Sequence, residues 1–378
     1  MKKQLLSLAL IPALLPGLLS GCAGQQSAVT LDKLALQETM QLEYASQFRV
    51  DYYEGGYKLI TLADDSRFLT IPENAPVPRD LDASVTVLQQ PIKNIYLAAT
   101  SAMCLFDALD RLDAIRLSGT KADGWYIENA RKAMEAGDIL YAGKYSEPDY
   151  ELLVSEKSAL AIESMMIGHA SDVKAQLEQL GIPVLMDQSS NETHPLGRAE
   201  WIRLYGALLD EEDAAKKLFD EQVAKMNAVA DDSDTGKTVA FFYISSSGSV
   251  ITRKSGDYVS KMIELAGGHY IFKNLGDKTK KTASYTLEPE TFYQTAKDAD
   301  ILIYNATIAE ELHSLEELLE KNALLADFKA VKKGNVWCTL RSMYQETMVC
   351  GDLTQSFHRI FTDTTGKLDE VPYFVRLK

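Results

Sequence analysis

The sequence is poor in the residues that usually hold metal ions. It contains only four cysteines and five histidines in 378 residues. The cysteines show no CxxC spacing, and no two histidines lie four residues apart or form an HxH motif. A receptor for a bare zinc or manganese ion needs such side chains to converge around the metal. The pattern therefore argues against a metal-ion site and against chemistry at cysteine.

Positive charge is scarce as well. The chain has 39 lysines and arginines against 54 aspartates and glutamates, a formal net charge of −15. The two signs are interspersed, and no segment forms a basic stripe. Nucleic-acid-binding proteins generally carry the opposite balance. We therefore expect no nucleic-acid partner.

Signatures of common enzymes are absent too. The sequence has no GxSxG elbow, and no Walker lysine or GxGxxG motif opens a helix. Serines and carboxylates are numerous, which leaves a secreted surface hydrolase as the alternative of another class, but no residue among them is distinguished. We expect a protein that is not an enzyme and has no cofactor of its own.

The long apolar run is confined to the start of the chain. Two lysines precede the stretch from Leu5 to Leu19, which Pro12 and Pro16 interrupt. This pattern is typical of a secretory signal and not of a membrane-spanning helix. The segment "LLSGC" resembles a bacterial lipobox, which implies cleavage before Cys22 and lipid on its sulfur. Acyl chains would then hold the mature protein at a membrane, outside the cytoplasm. The alternative is an ordinary cleaved signal.

The remaining chain is long enough for more than one core. Short apolar segments alternate with segments of helical spacing in two blocks, which predicts βαβ units and mainly parallel sheets. Helical spacing persists over the segment between the blocks, which predicts one long connecting helix. The predicted divisions are a signal peptide (1–21), a lipid-anchored tether with a short helix (22–45), a β-meander extension (46–80), an N-terminal α/β lobe (81–197), the connecting helix (198–232) and a C-terminal α/β lobe (233–378).

Several segments, in this order, resemble the solute-binding proteins of class III ABC importers. They include "ALDRLDAIRLSGT", "LEQLGIPVLMDQSS", "VSKMIELAGGHYIF" and "FKAVKKGNVWCTL". The resemblance implies two lobes bridged by one rigid helix, with the solute in the cleft between them. It also implies an ABC permease and its ATPase as partners. A ferric siderophore is the expected ligand, and haem or a cobamide is the alternative. We expect a monomer.

The resemblance also implies two docking residues. In this family an acidic residue on each lobe meets arginines of the permease. The local matches are Glu151 in "DYELLV" and Glu290 in "EPETFY". Their neighbours Glu147 and Glu288 are the obvious alternatives.

The ligand is expected in loops that follow strands. These loops are rich in aromatic and hydroxyl side chains and carry several cations, a combination that suits iron chelates with flat edges. The predicted ligand-binding residues are Gln89, Gln90, Trp125, Tyr126, Tyr145, Met165, Ser189, Tyr243, Arg253, Tyr285, Arg341 and Tyr344.

Two further points stay open at the level of sequence. Cys338 and Cys350 either form a disulfide, as an exported location permits, or remain buried thiols. His169 and His194 are possible axial ligands if the solute is haem.

Overall fold

The computed structural model describes residues 30–79, 81–230, 234–273, 275 and 284–378. The predicted signal peptide, Cys22 and the first part of the tether lie outside the described residues. Three groups of elements follow one another along the chain: an N-terminal extension, an N lobe and a C lobe, the two lobes being joined by a pair of helices.

The strands of the extension are β1 (Leu36–Thr39), β2 (Phe48–Tyr53), β3 (Lys58–Leu62), β4 (Arg67–Ile71) and β5 (Val85–Gln89). The N lobe contains β6 (Ile95–Leu97), α1 (Met103–Ala108), β7 (Ile115–Ser118), α2 (Glu128–Ala136), β8 (Leu140–Tyr141), β9 (Gly143–Lys144), β10 (Glu147–Pro148), α3 (Tyr150–Ser155), β11 (Leu160–Ser164), α4 (Ser171–Gln179) and β12 (Val184–Asp187). The connecting helices are α5 (Pro195–Leu209) and α6 (Glu212–Ala230).

The C lobe contains β13 (Lys237–Ile244), β14 (Val250–Arg253), α7 (Tyr258–Leu265), β15 (Gly268–Tyr270), β16 (Ser284–Leu287), α8 (Pro289–Ala296), β17 (Ile301–Tyr304), α9 (Leu315–Lys321), α10 (Lys329–Lys332), β18 (Val336–Thr339), α11 (Cys350–Thr362), β19 (Glu370–Val371) and β20 (Phe374–Arg376). Short 3-10 helices span Leu31–Lys33, Glu54–Gly56, Thr100–Ala102, Leu112–Ala114, Ala122–Gly124, Met165–His169, Ser189–Asn191, Ala323–Asp327, Arg341–Gln345 and Thr347–Val349.

The extension forms a sheet of five strands in the order β1-β2-β3-β4-β5. Its first four strands are the predicted antiparallel meander, enlarged by β1 from the segment predicted as a tether with a short helix. Strand β5, predicted as the first strand of the N lobe, pairs in parallel with β4. The predicted boundary at residue 80 is therefore wrong, because an apolar alternation predicts a strand without saying which sheet it joins.

The N lobe is built on a parallel sheet in the order β12-β11-β6-β7-β8. Its central strand β6 lies in a stretch whose spacing predicts a helix. All three of its residues are fully buried, and a short apolar run reads equally well as a strand or as part of a helix.

The C lobe has an eight-stranded mixed sheet in the order β16-β14-β13-β17-β18-β20-β19, with β15 also paired to β13. Strands β13, β15, β17 and β18 are parallel, whereas β14, β16, β19 and β20 are antiparallel additions. The predicted two-lobed α/β class is confirmed. Across the described ranges, no helix combines the length and the apolar character needed to cross a membrane.

The connection between the lobes is not the predicted single helix. Helix α5 ends at Leu209, and Asp210 adopts a left-handed conformation with φ of 60° before α6 begins. Aspartate tolerates this conformation better than most residues. The side-chain amine of Lys58, from the extension, bonds Oδ1 of Asp210 at 2.6 Å, Oε1 of Glu212 at 2.5 Å and the Ala207 carbonyl at 3.0 Å. The break in the helix is thus fixed by the extension.

Helix α5 lies at the centre of the molecule. Thirteen of its 15 residues are buried, as expected for a helix that is packed on every side. It contacts β2 of the extension, α1 of the N lobe, and α7 and α11 of the C lobe. The extension and both lobes therefore share one core around this helix.

Two buried carboxylates attach the extension to the start of α5. Glu200 accepts hydrogen bonds of 2.7–3.2 Å from the backbone N–H groups of residues 43–45. Glu192, in the loop before α5, accepts bonds of 2.9 and 3.0 Å from the N–H groups of residues 46 and 47. Gly197 permits this approach, because a Cβ there would lie only 2.9 Å from a carbonyl oxygen of the extension. The attachment is therefore close and polar.

Candidate functional site

The two sheets meet at the edges where their parallel strands end. We call these the cleft edges of the N lobe and the C lobe. The loop after β7, residues 119–127, and the 3-10 helix after β18, Arg341–Gln345, contact each other across the boundary. The 3-10 helix after β6, Thr100–Ala102, contacts the same C-lobe segment. Loops at the carboxyl ends of strands are the usual place for ligand sites in α/β proteins.

One glutamine side chain connects the two cleft edges. The amide oxygen of Gln345 accepts the backbone N–H of Tyr126 at 2.8 Å, and its amide nitrogen donates to the carbonyl of Gly124 at 2.8 Å. The same nitrogen donates to the hydroxyl oxygen of Tyr344 at 2.8 Å. Gln345 is fully buried.

Two tyrosines stand beside this contact, one from each lobe. The rings of Tyr126 and Tyr344 are 6.2 Å apart at an interplanar angle of 80°. This edge-to-face arrangement is favourable for aromatic pairs. Both side chains are nevertheless exposed. They offer an aromatic surface at the mouth of the cleft.

Further apolar side chains are exposed along the N-lobe cleft edge. Tyr141 ends β8, and Met165 and Met166 directly follow β11 with exposed fractions of 37% and 47%. The amine of Lys121 lies 5.5 Å from the centre of the Tyr141 ring. Exposed apolar groups that form a contiguous patch can mark a ligand-binding groove, whereas single ones are ordinary. This edge therefore combines aromatic faces, thioethers and a cation.

The C-lobe cleft edge contains a cavity of about 560 Å³. It lies at the ends of β13 and β17, lined by Tyr243, Tyr304 and Ile308 among others. An ion pair between Lys321 and Glu310 lies in its wall. Burial raises the pKa of Tyr304 to about 12, so this phenol stays protonated at neutral pH. Ligand pockets of this size with a few polar groups suit small molecules.

An unpaired acid is buried near the N-lobe cleft edge. Glu163, on β11, is fully buried, and neither of its carboxyl oxygens has a hydrogen-bond partner. Burial raises the pKa of Glu163 to about 8, because a charged carboxylate is poorly solvated there. The group is therefore mostly neutral at pH 7. It contributes no negative charge to the cleft edge under that condition.

A model of the periplasmic binding protein family matches residues 109–339. The chain belongs to this family. The match spans both lobes. The predictions of a solute-binding protein of an ABC importer, and of a protein that is not an enzyme, are confirmed by this membership.

Relatives and solved structures resemble this binding protein over most of its length. An uncharacterized lipoprotein of Methanocaldococcus jannaschii is 24% identical over 91% of this chain and 89% of its own. The haem-binding protein of Vibrio cholerae covers 70% of this chain and 98% of its own with a TM-score of 0.57 and 17% identity. An Fe3+-hydroxamate transport protein of Saccharomonospora viridis covers 72% and 94% with a TM-score of 0.55 and 18% identity. The structures show a shared fold. Lipoprotein relatives agree with an extracytoplasmic location.

The structure places five of the predicted ligand residues at the cleft edges of the binding protein. They lie in loops or strand ends of both lobes and are at least partly exposed; they are Tyr126, Met165, Tyr243, Arg341 and Tyr344. Tyr145 is half-buried in the turn between β9 and β10, after β8. These residues stay predicted ligand contacts.

Gln89 and Gln90 are wrong as cleft residues. Gln89 belongs to the extension sheet and donates to the carbonyl of Pro72 at 2.6 Å. Gln90 is buried, with its amide 3.4 Å from the carbonyl of Leu208 on α5. Both errors follow from assigning β5 to the N lobe.

Trp125 and Ser189 lie beside the cleft edge but point into the core. Trp125 is 3% exposed, and its indole N–H donates to Oγ of Ser118 at 3.2 Å. Ser189 is buried, and its backbone N–H donates to Asp187. A tryptophan in a glycine-flanked loop is thus a packing residue here, and its neighbour Tyr126 is the exposed one.

Arg253 and Tyr285 lie on the antiparallel additions to the C-lobe sheet. Arg253 is wrong as a cleft residue, because β14 runs away from the cleft edge and buries its guanidinium 3.6 Å from Asp257. Tyr285 is exposed on the outermost strand, β16, separated from β18 by three strands. For the C lobe the sequence predicts mainly parallel strands, so the direction of these antiparallel strands could not be used.

The described cysteines are buried thiols, and the two histidines considered as haem ligands lie in different surroundings. Cys104, Cys338 and Cys350 are free and buried, so the disulfide is not formed; burial raises the pKa of each thiol to about 12. No group of three potential metal ligands occurs among the described residues. His194 accepts the Leu196 N–H at 3.2 Å as the cap of α5, and burial lowers its pKa. His169 is exposed beside the two methionines.

Proposed function

We propose that this binding protein captures an iron chelate with a flat conjugated face and delivers it to an ABC importer. Two sources share that chemistry: an iron tetrapyrrole such as haem, and a ferric siderophore with catecholate rings. The observation that carries the proposal is the set of exposed tyrosines and methionines on facing cleft edges.

Flat conjugated ligands suit such a surface. An aromatic contact adds about 0.5–1.5 kcal/mol beyond the area that it buries. Tyr126, Tyr344 and Tyr141 supply rings from both lobes. Met165 and Met166 supply polarizable thioethers that adapt to an irregular surface. A solute between the edges would cover side chains that are now in water.

The charges of the cleft edges fit an acidic periphery of the ligand. Lys121 and Arg341 are exposed at the N-lobe and C-lobe edges, respectively. Haem propionates and the anionic oxygens of a ferric catecholate are groups that such cations bind. The raised pKa of Glu163 removes one carboxylate charge nearby at neutral pH. Arg253, by contrast, is paired within the C lobe and is not available.

The test is a titration of the purified mature protein with haemin, with ferric enterobactin and with cobinamide. Absorbance and tryptophan fluorescence report binding, and thermal shift reports stabilisation of the folded state. Haemin or the catecholate should bind with micromolar affinity or better. Binding of cobinamide alone would exclude iron as the cargo, and binding of none of the three would contradict the proposal.

Membrane attachment and docking complete the proposed function. Lipid on Cys22 would hold the protein near its permease and raise its effective concentration there. Glu151 and Glu290 are exposed in the first turns of α3 and α8, one on each lobe. Exposed carboxylates can bind permease arginines through charge-assisted, bidentate hydrogen bonds.

Charge reversal tests the docking residues. In cells, Glu151→Lys with Glu290→Lys should abolish most uptake of the chelate while leaving its binding to the purified protein unchanged. The matched control is Glu147→Lys with Glu288→Lys, which changes equally exposed neighbours. Uptake that falls only in the control pair would transfer the assignment to those neighbours.

A further inference from the structure

Gln345 connects the lobes through a buried side-chain amide that bonds the main chain of the N lobe. Its side chain is 0% exposed, although the residue follows β18 in a short 3-10 helix. The amide bonds the backbone on both sides of Trp125, accepting from Tyr126 and donating to Gly124. These partners are 219 and 221 residues away in sequence. The side chain thus reaches a main-chain segment of the opposite lobe.

Only a primary amide of this length satisfies both partners. One group of the N-lobe loop is a donor and the other is an acceptor, and an amide supplies the complement of each. A glutamate could accept the Tyr126 N–H, but it would place a carboxylate against the Gly124 carbonyl. A methionine of similar length would leave both backbone groups without their partner. The pairing is therefore specific to glutamine.

The N-lobe partner is a fixed platform. Trp125 is buried between the two bonded residues, and its indole is held by Ser118 at the end of β7. The loop that Gln345 grips is thus anchored in the N-lobe core. Movement of this loop relative to β18 is movement of one lobe relative to the other.

The same amide also positions the aromatic pair. It holds the hydroxyl oxygen of Tyr344 at 2.8 Å and the backbone of Tyr126 at 2.8 Å. The two rings meet edge to face immediately beside it. The geometry of the aromatic pair and the closure of the lobes therefore depend on one side chain.

We infer that Gln345 is a positioning residue that couples lobe closure to placement of Tyr126 and Tyr344 against the solute. The inference rests on the proposed function of the cleft. Opening the cleft breaks the two bonds to the N lobe and separates the rings. Closing the cleft restores the two hydrogen bonds and the ring contact together, so that Tyr126 and Tyr344 are already positioned against a bound solute.

The test compares Gln345→Met and Gln345→Glu with the wild type, using haemin and ferric enterobactin in stopped-flow measurements. Gln345→Met should raise the dissociation rate about 10-fold, since both hydrogen bonds to the N lobe are lost. Gln345→Glu should also raise it, since its carboxylate would face the Gly124 carbonyl. Neither variant should reduce the association rate. The matched control is Gln89→Met, which removes an amide–backbone bond in the extension. It should leave both rates unchanged.

A readout without solute separates this inference from the proposed function. Hydrogen exchange of the Tyr126 amide should be faster in Gln345→Met, which removes the acceptor of this N–H, than in the wild type or in Gln345→Glu, which keeps an acceptor. Faster exchange with no binding of either chelate to any form would support the role in closure and reject the proposed solute. Binding with unchanged dissociation rates and unchanged Tyr126 exchange would overturn the inference.

Discussion

Two seams of this molecule differ sharply in construction. At the first, the extension meets the start of α5 through buried Glu192 and Glu200, which accept the backbone N–H groups of residues 43–47. At the second, the lobes meet through the amide of Gln345 beside two exposed tyrosines. Bonds from backbone N–H groups to a buried carboxylate are charge-assisted and strong, whereas two bonds of a neutral amide are modest. The first seam is built to stay closed and the second can open.

The extension also contacts the connection between the lobes. Lys58 bonds the break between α5 and α6, and Phe48 of β2 packs its ring 5.2 Å from that of Trp201 on α5.

The largest expected effect comes from breaking the first seam. Glu200→Ala would leave three backbone N–H groups without an acceptor and deprive Arg203 of a partner 3.3 Å away. Removing one member of a buried charged arrangement costs about 3 kcal/mol or more. The free energy of unfolding, measured in urea, should fall by on the order of 3 kcal/mol.

Glu178→Ala is the control for that experiment. It removes an exposed pair with Lys174 on α4 and should cost less than about 1 kcal/mol. A Glu200 variant no less stable than this control would show that the first seam does not hold the extension.

A second effect concerns the buried acid of the N lobe. The pKa of Glu163 is raised from 4.5 to about 8 in the folded protein. The folded state thus favours the protonated form, so its stability falls as pH rises from about 4.5 to 8. Glu163→Gln removes this slope. The variant should match the wild type near pH 4.5 and exceed its unfolding free energy at pH 8 by a few kcal/mol, because each unit of pKa shift corresponds to about 1.4 kcal/mol.

Urea unfolding across this pH range checks the prediction. The exposed acid Glu151 supplies the control, because Glu151→Gln on α3 should not change the slope. Parallel pH profiles for wild type and Glu163→Gln would contradict the neutral state of this acid.

The smallest expected effect is a loss of chelate affinity when the tyrosines of the second seam are removed. Tyr126→Ala and Tyr344→Ala should each weaken chelate binding about 10-fold, since each removes an aromatic face. The double variant should lose less than the product of the two, because the rings contact each other. A coupling of about 1 kcal/mol in the double-mutant cycle is expected. Strict additivity would indicate that the two rings meet the solute independently.

Much of the fold could be predicted from the sequence. The apolar segments that became β11, β12, β13, β17 and β18 are short and bounded by turns or helices, so that periodicity identifies them. The break at Asp210 was not predicted, although aspartate there is a plausible N-cap, because helical spacing continues on both sides of it. The sequence also does not show which sheet β5 joins, because strands pair with partners that are distant in sequence.

Less of the candidate site could be predicted. Tyr126 and Tyr344 could be predicted at the cleft because they follow predicted strands. The roles of the residues beside them, Trp125 and Gln345, could not. Trp125 is buried in the core, whereas the next residue, Tyr126, is exposed at the cleft edge. Gln345 lies directly after Tyr344, yet no local pattern indicates that its amide meets the other lobe. Side-chain direction within a loop depends on tertiary packing, which spacing does not report.

Hydrogen exchange of the wild-type protein, with and without the bound chelate, tests the contrast between the seams most directly. The amides of residues 43–47 should be strongly protected in both states. The Tyr126 amide should exchange quickly without chelate and slowly with it. Exchange of residues 43–47 as fast as that of Tyr126, or a Tyr126 amide indifferent to the chelate, would contradict a fixed extension and an opening cleft.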